Sequence, residues 1–432
     1  MAERRKFGFE TRMLHAGHIP DPHTGARAVP IYPSAGFVFD SPDQAAALFE
    51  LKQYGNIYSR LMNPTVAVFE ERIASLEGGT GAVAVSSVMA AQFVALMTLL
   101  QPGDEVVASS HLYGGTYTQF EHTLKKLSIK VHFVDPDKPG LWEEQINEKT
   151  KALYGETIGN PQGSVFPFEE IAGLAKQHRI PLIIDNTLAS PYLCQPLEWG
   201  ADIVIHSATK FLNGHGTGVA GVIVESGRFD YSHYPSIAEP SAPYHGLKFY
   251  ETFGHYGFLM KARVETLRDV GASLSAFDAF NLVNGLETLS VRMDRHVQNA
   301  MTISSILKEH AQVEWVNYSG QDDHPHHQRA QKYLPKGSGS VFSFGIKPTN
   351  GLSSRETGKR FLEELQLFSH VANLGDVKSL VLHPGSTTHQ QLSPEELEQA
   401  GISPGLIRLS VGLETTEDLI WDLEQAFHAI SQ

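Results

Sequence analysis

Two apolar runs in this chain end in groups that can do chemistry. Pro181-Leu-Ile-Ile-Asp185 closes on an acid, and Ile203-Val-Ile-His-Ser207-Ala-Thr209-Lys210 closes on two hydroxyls and an amine. Both runs read as strands buried on two faces. In open α/β sheets, ligands bind beyond the carboxyl ends of the strands, so Asp185 and Lys210 can converge on one ligand. A ligand that needs an imine-forming amine together with a carboxylate opposite a ring nitrogen is pyridoxal 5'-phosphate. Ser207 and Thr209 add hydroxyls for a phosphate oxygen. Taken singly, a strand-end Asp more often caps a helix and a Lys is more often solvated; the combination is what is specific.

Further segments offer parts of the same site. Ser86-Ser87-Val88-Met89 lies where a strand gives way to a helix, and free backbone N–H groups there form an anion site. Its plain reading is an N-cap serine. His111-Leu-Tyr113-Gly-Gly offers a ring for stacking, or only a turn. Arg408 interrupts the apolar run Ile407–Val411 and needs an anionic partner, either a substrate carboxylate or an internal salt bridge. Tyr58 and Arg60 lie in an irregular N-terminal stretch. His324-Pro-His326-His327 has neither cysteines nor helical spacing and reads as a solvated loop, so no metal is assigned. Leu76-Glu-Gly-Gly-Thr-Gly81 follows a helix rather than a strand and fails the dinucleotide fingerprint.

The elements that must hold these groups follow from periodicity. Val66, Phe69, Ile73 and Leu76 mark one helix face, stopped by Gly78-Gly79. Strand-like runs then recur at Ala82–Val85, Glu105–Ala108, Val131–Val134, Ala152–Tyr154, Leu182–Ile184 and Ile203–Ile205. Helical stretches at Met89–Leu100, Thr116–Leu127 and Phe168–His178 separate several of them, which predicts an α/β fold with a mainly parallel sheet over residues 65–283. Residues 284–432 read as a smaller α+β domain. It has a long helix near Leu286–His310, strands at Val313–Val316, Val341–Phe344, Ser379–Leu382 and Ile407–Val411, and a last helix after a capping-box-like Thr415. Residues 1–64 show no clear period and are rich in turn formers, so they are expected to lie as an arm across another surface.

Composition removes several classes of function. The chain has 432 residues with 34 Lys+Arg against 48 Asp+Glu, a formal charge of −14, which repels nucleic acid and anionic membranes alike. Cys194 is the single cysteine, so neither an intramolecular disulfide nor a multi-cysteine zinc site can form. No apolar run approaches the length of a membrane span, and the charged N-terminus lacks a signal-like apolar stretch. A protein of a reducing compartment, the cytoplasm, is expected.

Ser207-Ala-Thr-Lys-Phe-Leu-Asn-Gly-His215 resembles the cofactor-lysine signature of the gamma-subfamily of fold-type I pyridoxal-phosphate enzymes of cysteine and methionine metabolism. Glu156-Thr-Ile-Gly-Asn160-Pro, Tyr244-His-Gly-Leu and Ala372-Asn373-Leu-Gly-Asp376 support the resemblance, which runs over essentially the whole chain. It implies that Lys210 carries the cofactor as an imine, that Asp185 pairs with the ring nitrogen, and that Tyr113 stacks on the ring and serves as acid/base. Asn160 would bond the phenolic oxygen, while Ser207, Thr209 and the N–H groups of Val88 and Met89 bind phosphate. Tyr58 and Arg60 would complete that site from a neighbouring subunit of a homotetramer, and Arg408, with Asn373 and Tyr58 nearby, would hold the substrate.

Within the family the sequence is most similar to the O-acetylhomoserine sulfhydrylases. That implies γ-replacement of acetate by sulfide on O-acetyl-L-homoserine, giving L-homocysteine for methionine biosynthesis. Cystathionine γ-synthase and methionine γ-lyase chemistry share these cofactor residues. Gly115 stands where many methionine γ-lyases resemble one another in having Cys, and Lys378 where many cystathionine synthases and lyases have Glu; both favour the small nucleophile sulfide. A non-catalytic binding protein of the same fold is the remoter alternative. The family pattern has Gly where this chain has Val88; if that position needs φ > 0, a β-branched residue there is strained by about 1–3 kcal/mol. Pro33-Ser-Ala-Gly36 also departs from the family's Thr-rich run.

Overall fold

Every apolar run singled out above forms a strand, and the runs assemble in two sheets. The computed structural model describes residues 5–387 and 403–432. The larger sheet has seven strands: β1 (Gly81–Val85), β2 (Glu105–Ser109), β3 (Lys130–Val134), β4 (Thr150–Glu156), β5 (Leu182–Asp185), β6 (Ile203–Ser207) and β7 (Gly221–Glu225). Their order is β1-β7-β6-β5-β4-β2-β3. All pairings are parallel except those of β7, which runs antiparallel to both β1 and β6. Residues 221–225 are the one strand of this sheet that the periodicity reading leaves out.

Side-chain alternation along the strands builds two cores. Leu182, Ile184 and Val204 pack with Phe69, Ile73 and Leu76 of the helix Pro64–Glu77. Ile183, Ile203 and Ile205 pack on the other face with Val94, Ala95 and Leu99 of the helix Val88–Leu99. Both helices start on side-chain caps. The Asn63 carboxamide oxygen accepts the Thr65 N–H at 2.9 Å, and Ser87 Oγ accepts the Ala90 N–H at 3.1 Å. Gly78, in the left-handed region at φ 78°, stops the first.

The smaller sheet contains β8 (Val313–Asn317), β9 (Val341–Ile346), β10 (Ser369–His370), β11 (Leu380–Leu382) and β12 (Leu406–Ser410), in the order β10-β11-β12-β9-β8. Phe344, Ile407 and Leu409 of this sheet pack with Ile303, Phe361, Leu423 and Phe427 from its covering helices. The long helix begins at Leu289 rather than near 286, because a separate helix, Ala276–Leu286, precedes it. The capping box lies not at Thr415, whose side chain makes no cap bond, but at Ser353 and Glu356.

Two other expectations change. The arm is not wholly irregular: it contains the helices Phe9–His15 and Pro42–Phe49. They were missed because each is only about two turns long, too short to display a period. The histidine cluster is half-buried rather than a solvated loop. His326 Nδ1 accepts the Val165 N–H at 3.1 Å, its Nε2 meets Asp137 at 3.1 Å, and His324 Nε2 bonds Asn317 Oδ1 at 2.7 Å. No helix among the described residues is long and apolar enough to cross a membrane.

Candidate active site

The carboxyl ends of β4, β5 and β6 form the floor of the site. Asp185 is the last residue of β5 and is buried. Its Oδ1 accepts both the N–H of Thr187, at 2.9 Å, and that residue's hydroxyl. Burial raises the Asp185 carboxyl, the Thr187 hydrogen bonds oppose the rise, and the His206 charge opposes it further. Such a carboxylate is poised for a cationic partner. Lys210 follows β6 in a turn, its N–H bonded to Ser207 O at 3.1 Å. Its Nζ donates to Asn373 Oδ1, and desolvation with the nearby Arg408 charge pulls the amine down to about 8. An amine so tuned has an appreciable neutral fraction near neutral pH and can accept a proton or attack a carbonyl.

The helix that follows β1 supplies an anion cradle. Ser87 caps Ala90 and the Ser87 carbonyl takes the Ala91 N–H, so the N–H groups of Val88 and Met89 remain at the helix start with no partner within the helix. Val88 is not among the residues with positive φ and begins regular helix, so the strain considered for a β-branched residue does not arise. The position that does demand glycine is Gly221: a Cβ there would lie 2.2 Å from the Ser87 carbonyl oxygen. That glycine lets β7 approach the anion turn. Ser207 donates its N–H to Thr187 Oγ1 at 2.7 Å, and its hydroxyl has no partner among the described residues, which leaves it available at the site. Thr209 is different. Its hydroxyl exchanges hydrogen bonds with the Ala220 N–H and carbonyl, at 2.9 and 3.2 Å. Thr209 thus braces the turn before β7 with the group expected to reach phosphate.

The smaller sheet supplies the opposite wall. Arg408, on β12, donates to Asn160 Oδ1 at 3.4 Å and to the Asn373 carbonyl at 3.1 Å. Among the described residues no carboxylate lies within ion-pair distance of it. The internal salt bridge left open by the sequence is therefore absent there, and burial pulls the guanidinium down to about 10. Asn160 is buried just beyond β4 and is joined to Pro161 by a cis peptide bond. Tyr113 begins the short helix Gly114–Thr118 and is half-exposed. Its ring lies against Gly115, where a Cβ would come within 2.4 Å of Tyr113 Cε1, so the absence of a side chain at 115 leaves room for the ring.

Two expected residues stand elsewhere in this chain. Tyr58 and Arg60 line an open cleft of about 550 Å³ with Tyr32, Ser34 and the start of the helix Ala276–Leu286, the Arg60 guanidinium 5.6 Å from the Tyr58 ring centre. None of the floor residues lines that cleft. Sequence reasoning also passed over groups of the floor itself. Glu156, the last residue of β4, accepts the Tyr113 N–H at 2.6 Å. Beneath the floor, His206 and Glu77 form a fully buried pair 2.6 Å apart, tied by Asn186 to Thr157. The available signal was a polar residue next to each strand end, which pattern alone cannot separate from a helix cap. Among the described residues no group of three or more His, Cys, Asp or Glu is placed to hold a metal ion.

A depressed lysine, a buried carboxylate and an open anion cradle at the strand ends define the site of a pyridoxal-phosphate enzyme, and the donor set fits that cofactor. The comparisons agree. The family described as Cys/Met metabolism PLP-dependent enzyme matches residues 10–428, and the chain belongs to it. The chain is 50% identical to O-acetyl-L-homoserine sulfhydrylase 1 of Thermus thermophilus over 97% of this chain and 99% of that one. It is 47% identical to O-acetyl-L-homoserine sulfhydrylase of Leptospira meyeri, covering 99% and 98%. A Campylobacter jejuni crystal structure that contains N'-pyridoxyl-lysine-5'-monophosphate matches with a TM-score of 0.93 at 41% identity, covering 98% of this chain and all of that one.

Proposed function

We propose that the protein replaces the acetoxy group of O-acetyl-L-homoserine by sulfide, giving L-homocysteine and acetate. The observation that carries this reading is the half-buried Arg408 guanidinium, which has no carboxylate partner among the described residues and is linked to Lys210 through Asn373. An amino-acid carboxylate answers that charge, and the names of the two sulfhydrylases at 50% and 47% identity supply the substrate class. Pyridoxal phosphate, when bound, supplies an electron sink for the substrate's Cα.

The chain's own groups do the rest. Arg408 orients the substrate carboxylate as a two-pronged donor, with Asn160 and Asn373 fixing the guanidinium. Lys210 takes the proton from Cα and then moves a proton at Cβ, a role suited to an amine held near 8. Asp185, held by two hydrogen bonds from Thr187, would pair with the cofactor's ring nitrogen. Tyr113 holds or donates a proton on the γ side, where the C–O bond to acetate breaks and the C–S bond to sulfide forms. The N–H groups of Val88 and Met89 and the Ser207 hydroxyl would hold the phosphate, while Thr209 braces the turn beside them through Ala220. Tyr58 and Arg60, exposed on the arm, serve the phosphate and substrate of a neighbouring subunit in a homotetramer. The arm (1–64), the cofactor domain (65–283) and the C-terminal domain (284–432) act together in the cytoplasm.

The test is product analysis of the cofactor-loaded protein mixed with O-acetyl-L-homoserine and sulfide, cysteine or no nucleophile. Homocysteine and acetate formed chiefly with sulfide support the reading. Cystathionine from cysteine makes the protein a synthase, and 2-oxobutanoate without a nucleophile makes it a lyase.

A further inference from the structure

Glu156 has no part in the chemistry above, yet it stands at its centre. Alternation along β4 puts Ala152, Tyr154 and Glu156 on the face that packs against the helix Val88–Leu99, while Gly155 faces Phe166 on the other. Register pairs Glu156 directly with Asp185, so two carboxyl groups end adjacent strands side by side, both buried. They are not equivalent. Among the described residues, Asp185 receives two hydrogen bonds, both from Thr187, whereas Glu156 receives one, from the backbone of Tyr113. Two close buried carboxylates do not both ionise readily, and the one with more donors keeps the charge. Burial and the Asp185 charge push Glu156 well above the usual carboxylate range.

We infer that Glu156 is a positioning residue: its neutral carboxyl anchors the backbone of Tyr113 over the site and leaves Asp185 as the anion of the pair, the one that would face the cofactor's ring nitrogen. The inference rests on the proposed placement of Tyr113 over that ring. Three features set the geometry together. Glu156 Oε1 holds the Tyr113 N–H at 2.6 Å, Gly115 receives the ring, and the strand pairing fixes Glu156 beside Asp185. The required properties are an acceptor at that point and no net charge, which an amide also has.

The test compares Glu156→Gln and Glu156→Ala in the full-length protein. The readouts are the dissociation constant of pyridoxal phosphate, the visible absorption of the lysine-linked cofactor, and kcat and KM with O-acetyl-L-homoserine and sulfide. Glu156→Ala is expected to weaken cofactor binding about tenfold and to lower kcat about tenfold or more, with KM changed less, as the acceptor for the Tyr113 N–H is lost. Glu156→Gln is expected to restore most of that loss and to keep the absorption band in place. Equal losses in both variants would show that an ionised carboxylate is needed and overturn the inference, as would an Ala variant indistinguishable from the wild type. Thermal melting of the cofactor-free proteins separates general unfolding from a local effect. Should the wild type form no homocysteine, the proposed activity fails, while cofactor affinity and absorption still judge Glu156.

Discussion

Asp185 and Glu225 are both buried acids that end strands of the same sheet, two strands apart, and they have opposite surroundings. Asp185 closes a parallel strand and faces the site, with Thr187 donating to it twice. Glu225 closes the antiparallel strand β7, so its register partners are Gly81 and Ile203, the residues at which β1 and β6 begin. It therefore lies at the far edge of the sheet. Among the described residues neither of its carboxyl oxygens has a hydrogen-bond partner, and burial pushes it up to about 8. Burial raises both acids; strand direction decides which one meets a ligand.

Four substitutions test that contrast. The largest effect is expected at the site edge itself: Lys210→Ala should keep the far-ultraviolet circular dichroism of the wild type, lose the visible band of the linked cofactor and cut γ-replacement by about 10⁴-fold. Undiminished turnover would remove Lys210 from the mechanism. Asp185→Asn should come next, with kcat reduced by roughly 100- to 1000-fold, because an amide cannot stabilise a cationic ring nitrogen. A variant as active as the wild type would place the essential anion elsewhere. Arg408→Ala should act mainly on binding, raising KM for O-acetyl-L-homoserine about 100-fold as measured by initial rates. An unchanged KM would return Arg408 to a structural part.

The smallest catalytic effect is expected at the far edge. Glu225→Gln should leave kcat and KM as they are and change only how stability depends on pH. Burial pushes the folded-state carboxyl up to about 8 from the ordinary 4.5 that holds in the unfolded chain. The unfolded chain thus loses its proton first, and the stabilisation from protonated Glu225 is complete below about 4.5 and declines as pH rises toward 8. Melting temperatures across that window should fall less steeply in Glu225→Gln than in the wild type. Part of the slope should persist, since neighbouring Asp202 is also pushed up, to about 6. Equal slopes in the two proteins would mean that Glu225 is ionised or solvated in the native state.

The amino-acid sequence by itself determined the strand ends. Uninterrupted apolar runs closing on Asp185 and on Ser207-Ala-Thr-Lys210 mark buried parallel strands and their ligand edge, because burial on both faces leaves no room for polar residues until the strand emerges. The same local rule located the helices Pro64–Glu77 and Phe168–His178. Only the tertiary structure decided what lies across from those ends. That Arg408 meets Asn160 and Asn373 depends on packing between distant parts of the chain, and that Glu156 holds Tyr113 depends on strand register. Residues 221–225 carry the apolar pattern of their neighbours, but their direction depends on a connection from β6 that contains no crossover helix. Val88 shows the limit from the other side: its type raised the question of strain, and only the backbone angle it adopts could answer it. Periodicity is a property of a few consecutive residues, whereas partners, direction and backbone angles are set by contacts between residues far apart in the chain.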